Sequence, residues 1–585
     1  MGLNRRTFLQ RAGLAMAALG VSETLLSLLV DKSLAVPVLD RYLQALAQPG
    51  GRKLALLVGI NQYPKTTALG GCITDVELQR ELLIHRFGFN PSDVLTLTDS
   101  QATRENIETA FLEHLTEQAK PGDVVVFHFS GYGSRVKLSE EFASEADIIQ
   151  NSLVPVDGWV PSKGTPVAND LLEDTLIWLM RSLATERVTA ILDTSHTSMG
   201  SVLQGNLRVR SLPNPPAETL SAGELAFQEQ LLRRLKSSRA QLKSPNILNP
   251  IPGIVLTAAG PHQLAAEALW NGFSAGLFTY ALTQHLWQAT PATTVQVHLS
   301  RAAGMVNQLA GSEQQPQLIG QKSLPQPLLA YYLPADPSIG SDGVVTAIED
   351  NGQTVQLWLA GLPATVLEYY GVNSVVELVK GQWSVVSEEE QTTDNQQLTT
   401  SQAMQLQIRS KEGLMAKARL IGMSGVETNP LQVGQLVQES IRLLPRNLGL
   451  TIALDTQLER IERVDATSAF ATIPYVSSVV IAGEQPADYL FGKVASPQAL
   501  TPNSVEESAN STPVQKSSSE PWGYGLFYLV RNPIRNTVGE TGEAVKSAVN
   551  RLTSKLQTLL AAKLLRLTAN EGSSRLGIRA SLEMM

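Results

Sequence analysis

From residue 53 onward, short runs that are apolar on both faces alternate with longer stretches of helical periodicity, and this alternation limits the fold more than any other feature. The runs are Leu54–Gly59, Val94–Leu97, Val124–Phe129, Val188–Leu192 and Ile254–Thr257, and the helical stretches between them fall near 74–87, 103–118, 171–184 and 276–289. A strand without a polar face must be covered on both sides. The pattern therefore predicts an α/β domain, with a parallel-dominated sheet flanked by helices.

The chain is 585 residues long, which at about 150 residues per domain predicts three or four units. With 43% hydrophobic and 17% charged residues it is globular in bulk, not collagenous, coiled-coil or wholly disordered. Its net charge of -8 and the lack of a long basic run argue against nucleic acid as a partner. The single cysteine, Cys72, excludes an internal disulfide and a thiolate zinc cage.

Residues 1–47 read as a leader. Asn4-Arg5-Arg6-Thr7-Phe8-Leu9-Gln10, followed by the weakly apolar Ala12–Val21, resembles a twin-arginine signal and predicts export of the folded chain to a periplasmic or equivalent lumen. Ser33-Leu34-Ala35 and Ala45-Leu46-Ala47 are the candidate cleavage points, and Glu23 interrupts the apolar run, so no stable membrane span is expected. Residues 52–335 form the α/β domain, in parts 52–200, 201–250 and 251–335. The middle part is Pro-rich at Pro213–Pro216 and carries Arg233, Arg234, Lys236, Arg239 and Lys243, and it reads as a basic surface insertion. A β-rich domain is expected over 340–495, a flexible linker over 496–521 and an α/β segment over 522–585.

Ligands of parallel sheets bind outside the carboxyl ends of the strands. Three strand ends carry candidate chemistry. They are Gly59-Ile60-Asn61-Gln62-Tyr63 with Leu69-Gly70-Gly71-Cys72-Ile73-Thr74-Asp75, Phe129-Ser130-Gly131-Tyr132-Gly133-Ser134, and Asp193-Thr194-Ser195-His196-Thr197-Ser198. With Leu256-Thr257-Ala258-Ala259, Glu267 and Gly276-Leu277-Phe278-Thr279-Tyr280, these motifs resemble the caspase-like peptidases, in particular the bacterial orthocaspases and the metacaspases. The resemblance covers residues 52–290 and implies a cysteine-type endopeptidase fold.

The resemblance breaks at two positions. Where the family reads Ser-Gly-His-Gly, with the histidine as general base, this chain has Tyr132. Where the family reads Asp-Cys-Cys-His-Ser-Gly, with the second cysteine as nucleophile, it has Thr194 and Ser195. A tyrosine holds its phenolate in roughly one molecule in a thousand at pH 7, a handicap of about 4 kcal/mol, and a serine hydroxyl needs a base where a thiol can ionise unaided. Arg135, three residues on, is expected to lower the tyrosine value. His196 leaves the strand on the opposite side from Ser195 and His128 falls inside the sheet, so both read as structural.

The resemblance also implies that Cys72, Asp75, Ser130 and Asp193 line a pocket for an Arg or Lys side chain, since two carboxylates facing one cavity favour a cation between them. The plainer reading has Asp75 capping a helix that begins near it and Cys72 merely packing. Relatives often need calcium. The acidic residues Glu140, Glu141, Glu145 and Asp147 match no ligand pattern, and no other cofactor is implied.

The leading expectation is thus a proteolytically inactive pseudo-peptidase that binds peptides with basic side chains, or partners such as active caspase-like relatives. The alternatives are a hydrolase using Ser195 with Tyr132 to cleave after Arg or Lys, and a scaffold whose function lies in the β-rich region.

Overall fold

The structure is a computed structural model. It describes residues 51–64, 66–138, 149–158, 167–197, 207–212, 219–243, 251–289, 294–320, 340–379, 404–421, 431–483, 485–495, 522–529, 531–570 and 577–579. The expected leader 1–47, the acidic loop with Glu140, Glu141, Glu145 and Asp147, and the linker 496–521 lie outside the described residues.

The first domain begins β1 (Lys53–Gly59), α1 (Cys72–His85), β2 (Val94–Thr98), α2 (Arg104–Ala110), β3 (Val124–Ser130), β4 (Gly133–Lys137) and β5 (Ile149–Leu153). It continues through β6 (Val167–Ala168), β7 (Leu171–Leu172), α3 (Glu173–Arg181), β8 (Val188–Asp193), β9 (Leu207–Val209), β10 (Thr219–Leu220), α4 (Ala222–Leu235) and α5 (Arg239–Lys243). It ends with β11 (Ile254–Thr257), β12 (Ala266–Trp270), β13 (Phe273–Gly276), α6 (Leu277–Trp287), α7 (Val295–Ala310) and β14 (Gln317–Gly320).

The five apolar runs form the heart of one six-stranded sheet of order β14-β11-β8-β3-β1-β2. All neighbours are parallel except the edge pair β11–β14. That antiparallel edge strand has exposed positions and no continuous apolar run, so periodicity did not reveal it. Strands β1, β3 and β8 are buried almost throughout, because helices cover both faces. The register places Gly59 beside Ser130 and Ser130 beside Asp193, so the ends of three strands form one row.

Two expectations about the helices change. Helix α1 starts at Cys72 with Gly71 at its N-cap, so Asp75 is no cap but a fully buried residue of the first turn. The insertion is not wholly a surface feature. Helix α4 buries Glu224, Gln228 and Leu231, and the Arg239 guanidinium lies 5.4 Å from the centre of the Trp178 ring.

The C-terminal units divide differently from the expected 340–495 and 522–585. A seven-stranded sheet spans Gly343–Leu443 and takes in the closing strand Gly577–Arg579, which pairs in parallel with Leu436–Leu443. A separate four-stranded sheet is built from Leu450–Leu454, Val476–Ile481, Tyr489–Ala495 and Trp522–Phe527. The seven-stranded sheet shares a continuous apolar core with the first domain, where the Tyr280 hydroxyl donates to the Leu362 carbonyl at 2.6 Å.

Below the insertion lies a buried acidic cluster. Arg104 bridges Glu108 at 2.5 Å and Glu224 at 3.6 Å, and Ser152 donates to Asp170 at 2.7 Å. Burial pushes Glu108 up to about 8, helped by Glu224, and pushes Asp170 up to about 7. A carboxyl with a raised native pKa keeps its proton in the folded state while the unfolded chain has released it, so stability falls as pH rises from about 4 to about 8. For Asp170 the effect is on the order of 4 kcal/mol. Thermal unfolding is expected at lower temperature at pH 8 than at pH 5, with a shallower dependence in Asp170→Asn. Equal slopes for the two proteins in calorimetry would contradict this.

Candidate active site

The row of strand ends is where the candidate residues meet. Asp75, on the first turn of α1, accepts from the Ser130 hydroxyl at 2.6 Å and from the Gly276 amide at 2.9 Å. Asp193, at the end of β8, accepts from the amide and the hydroxyl of Thr279 at 2.9 and 2.6 Å. The thiol of Cys72 packs against this group, and burial raises its pKa, which disfavours the thiolate a nucleophile needs. Cys72, Asp75, Ser130 and Asp193 therefore surround one small space, and a fifth side chain, Glu267 of β12, completes it. Its two oxygens accept from the Gly70 and Gly71 amides at 2.7 and 3.0 Å.

That space is already filled. The Arg210 guanidinium, fully buried, lies 2.7 Å from Asp75, 3.2 Å from Asp193 and 3.2 Å from Glu267, and donates to the Ser130 hydroxyl at 2.7 Å. In this structure the expected open pocket for a guest side chain is a closed socket holding the chain's own arginine. The fit is tight: a Cβ on Gly276 would collide with Asp193 and with Arg210. Burial raises the pKa values of Asp75 and Asp193, partly countered by Arg210. Burial also pulls against the charged guanidinium, but the three carboxylates hold its pKa well above the ordinary value.

The backbone of Arg210 is held as firmly as its side chain. Its carbonyl accepts from the Gly133 and Ser195 amides, both at 3.1 Å, and from the Thr194 hydroxyl at 3.3 Å. Its own amide donates to the Ala265 carbonyl at 2.8 Å. Residues Leu207, Arg208 and Val209 pair antiparallel with Ala268, Glu267 and Ala266, making β9 the edge of the sheet β13-β12-β9. Beyond the arginine, the Leu212 amide donates to the Gly133 carbonyl at 2.9 Å and the Ser211 hydroxyl to the Thr197 carbonyl at 3.0 Å. Leu207–Leu212 thus runs through the site as the short strand β9, a bend at Arg210 and an isolated bridge from Ser211 to Gly133. Two converging amides on one carbonyl oxygen are also the arrangement that stabilises a developing oxyanion.

The two dyad positions lie beside this segment. Ser195 is 3% exposed, and its Oγ has no hydrogen-bond partner among the described residues. The Tyr132 hydroxyl donates to the Thr67 carbonyl at 2.9 Å, its ring packs 5.0 Å from the centre of the Tyr63 ring, and its amide donates to the Tyr63 hydroxyl at 3.0 Å. Burial pushes the Tyr132 phenol up to about 12. The expected help from Arg135 is absent, and the cations that counter the rise are Arg208 and Arg210. His128 is fully buried within β3, and burial drops it to about 3. The Nδ1 of His196 likewise has no partner, so neither imidazole bonds Ser195. Among the described residues no group of three His, Cys, Asp or Glu side chains is placed to hold a metal ion.

Sequence reasoning passed over Arg210 and gave Glu267 no role in the socket. The available signal was the alternation Leu207-Arg208-Val209-Arg210, a short strand pattern inside a segment otherwise marked by turn residues and helix.

Residues 52–326 match the family model described as a caspase domain. The chain is 29% identical over 301 residues to a metacaspase-1 of Candida glabrata, covering 46% of this chain and 73% of that protein. It is 32% identical over 227 residues to a metacaspase-1 of Yarrowia lipolytica, covering 37% of this chain and 46% of that protein. The crystal structure of caspase-1 from Spodoptera frugiperda aligns with a TM-score of 0.28 at 11% identity, over 48% of this chain and 89% of that one.

Removing Arg210 would leave three buried carboxylates without a cation. Arg210→Met is expected to lose about 3–5 kcal/mol of stability in denaturant titrations near pH 8. The loss should shrink at pH 5, where Asp75 and Asp193, with their raised pKa values, take up protons more readily. A loss under about 1 kcal/mol at both pH values would contradict the ion network.

Proposed function

We propose, from the premise that residues 52–326 are a caspase-like domain of the metacaspase kind, that this protein is a pseudo-peptidase. Its groove holds an extended peptide with an arginine in the acidic socket and does not cut it.

One observation carries the reading. A peptide carbonyl lies against two converging amides beside Ser195, yet no base contacts the Ser195 hydroxyl, because the Tyr132 phenol is spent on Thr67 and is pushed up to about 12. General-base catalysis needs an acceptor within hydrogen-bond reach of the attacking hydroxyl and a pKa near the working pH. Tyr132 meets neither condition. Ser195 is moreover covered, which leaves a water or an external substrate no approach while the segment is in place. The function supported is therefore binding: the fold keeps the parts that position a basic peptide and lacks those that transfer protons.

Restoring the two reactive groups tests this. In Tyr132→His with Ser195→Cys, the introduced thiol belongs to a residue whose amide donates to the Arg210 carbonyl at 3.1 Å, which makes that carbonyl carbon the expected point of attack. Attack there, with the leaving Ser211 amine taking its proton from the introduced imidazole, releases residues 211–585 from an acyl-enzyme that water then hydrolyses. Mass spectrometry is expected to show the double variant cut between Arg210 and Ser211 and the wild-type chain intact, with no fluorophosphonate adduct on Ser195. Self-cleavage or labelling of the wild-type protein would overturn the inactive reading.

A further inference from the structure

A cavity of about 80 Å³ lies where the three units meet, and of residues 207–212 only Leu207 lines it. Its walls come from Trp270 and Leu277 of the first domain, from the helix Ala364–Tyr369 of the seven-stranded sheet unit, and from Tyr489 and Leu529 of the four-stranded one. Gln308 and Arg566, both exposed, mark its mouth, whereas Trp270, Leu277 and Leu529 are buried. At about 10–15 Å³ per water the space holds roughly five to eight waters, or a ligand of that many heavy atoms. Small-molecule sites form preferentially at such junctions between domains.

The polar groups on the wall differ in how far they are satisfied. Lys563, on the helix Thr553–Thr568, spends its three ammonium protons on the Tyr369 hydroxyl at 2.8 Å, the Gly449 carbonyl at 2.9 Å and Asp488 at 2.7 Å. The same Asp488 oxygen accepts from the Thr451 amide at 2.8 Å. Arg566 donates to the Tyr489 hydroxyl at 3.4 Å and to the Ala562 carbonyl at 3.2 Å. The Glu368 carboxylate, by contrast, has no hydrogen bond or ion pair among the described residues, and the charges of Asp488, Lys563 and Lys411 act on it only from beyond contact.

A half-buried acceptor on a cavity wall needs a donor, and an ammonium group supplies both the hydrogen bond and the opposite charge. The carbon chain of such a ligand is matched by the apolar part of the wall. Aromatic rings also attract cations, and the wall holds Trp270, Tyr489 and Tyr528 besides Tyr369, over whose ring the Lys563 ammonium already sits at 4.4 Å.

The geometry points to this cavity as a binding site for a small primary aliphatic amine, held as its ammonium ion with Glu368 accepting and the carbon chain against Trp270, Leu277 and Leu529. The site is separate from the peptide-holding groove and does not rest on that reading. Because three units supply the walls, the amine binds only their assembled form and stabilises it. Burial, helped by Asp488, pushes Glu368 up to about 7. The other titratable groups facing it are Lys563, Lys411 and Arg566, with the phenols of Tyr369, Tyr489 and Tyr528. An ammonium ion favours the ionised carboxylate, so the amine binds more tightly as pH rises through that value.

The test is calorimetric titration of the full chain with n-butylammonium chloride, at ionic strength matched with sodium chloride. One site with a dissociation constant of about a millimolar or below is expected at pH 8, weakening about tenfold at pH 6. n-Butanol, with the same number of heavy atoms and no charge, should bind tenfold or more weakly, and Glu368→Gln should lose tenfold or more for the amine. Absence of saturable binding at pH 8, equal affinity for butanol, or undiminished affinity in folded Glu368→Gln would overturn the proposal. Should that variant fail to fold, the wild-type chain decides: affinity independent of pH between 6 and 8 would refute Glu368 as the acceptor. Hydrogen exchange with saturating amine is expected to slow at residues 364–369 and 486–489. Protection confined to residues 207–212 would place the amine in the peptide groove and refute the cavity.

Discussion

Everything at the head of the sheet is organised around one guanidinium among three carboxylates. Asp75, Asp193 and Glu267 come from a helix, a strand end and a separate small sheet, and all are buried; both oxygens of Asp75 and Glu267 and one oxygen of Asp193 accept from amides or hydroxyls. Three such charges without a counter-ion would be expensive to bury, and one arginine with five fixed donors satisfies them together. The close approach at Gly276 and the row Gly59, Ser130 and Asp193 are the backbone conditions for that arrangement. Because the arginine directly follows β9, the same ion network fixes the course of Leu207–Leu212 through the groove.

This geometry divides binding from chemistry. The socket, the pairing edge of β12 and the two amides facing the Arg210 carbonyl are binding parts, and all are intact. The missing parts are a thiol and an imidazole, groups whose proton affinities lie close to neutral pH. In their places stand a hydroxyl with no partner and a phenol raised still further by burial. On the proposed reading, these two substitutions separate holding a peptide from cutting it.

Much of the first domain was legible in the sequence because its signals are strong and local. The five runs from Leu54 to Thr257 became strands within a residue or so of their expected limits, since a doubly covered strand has no polar face to confuse it. The grouping of Cys72, Asp75, Ser130 and Asp193 was an implication of the family resemblance, and the structure places Asp75, Ser130 and Asp193 around one guanidinium. Arg210 was hidden for the opposite reason: its partners lie 135, 17 and 57 positions away, and no periodicity connects a three-residue strand in an insertion to them. The boundary near 445 and the return of Gly577–Arg579 to an earlier sheet are long-range pairings of the same kind. Helix α4 looked like a basic surface helix because the charges on its outer face outnumber Glu224 and Gln228, which it buries.

The socket is occupied from within by Arg210, and arginine footprinting reads that occupancy directly. Phenylglyoxal treatment of the native protein, followed by peptide mass spectrometry, compares Arg210 with Arg208 two residues away. Rapid modification of Arg208 and protection of Arg210 until the chain is unfolded are expected. Modification of both at similar rates in the native protein would place the Arg210 side chain in solvent and contradict that occupancy.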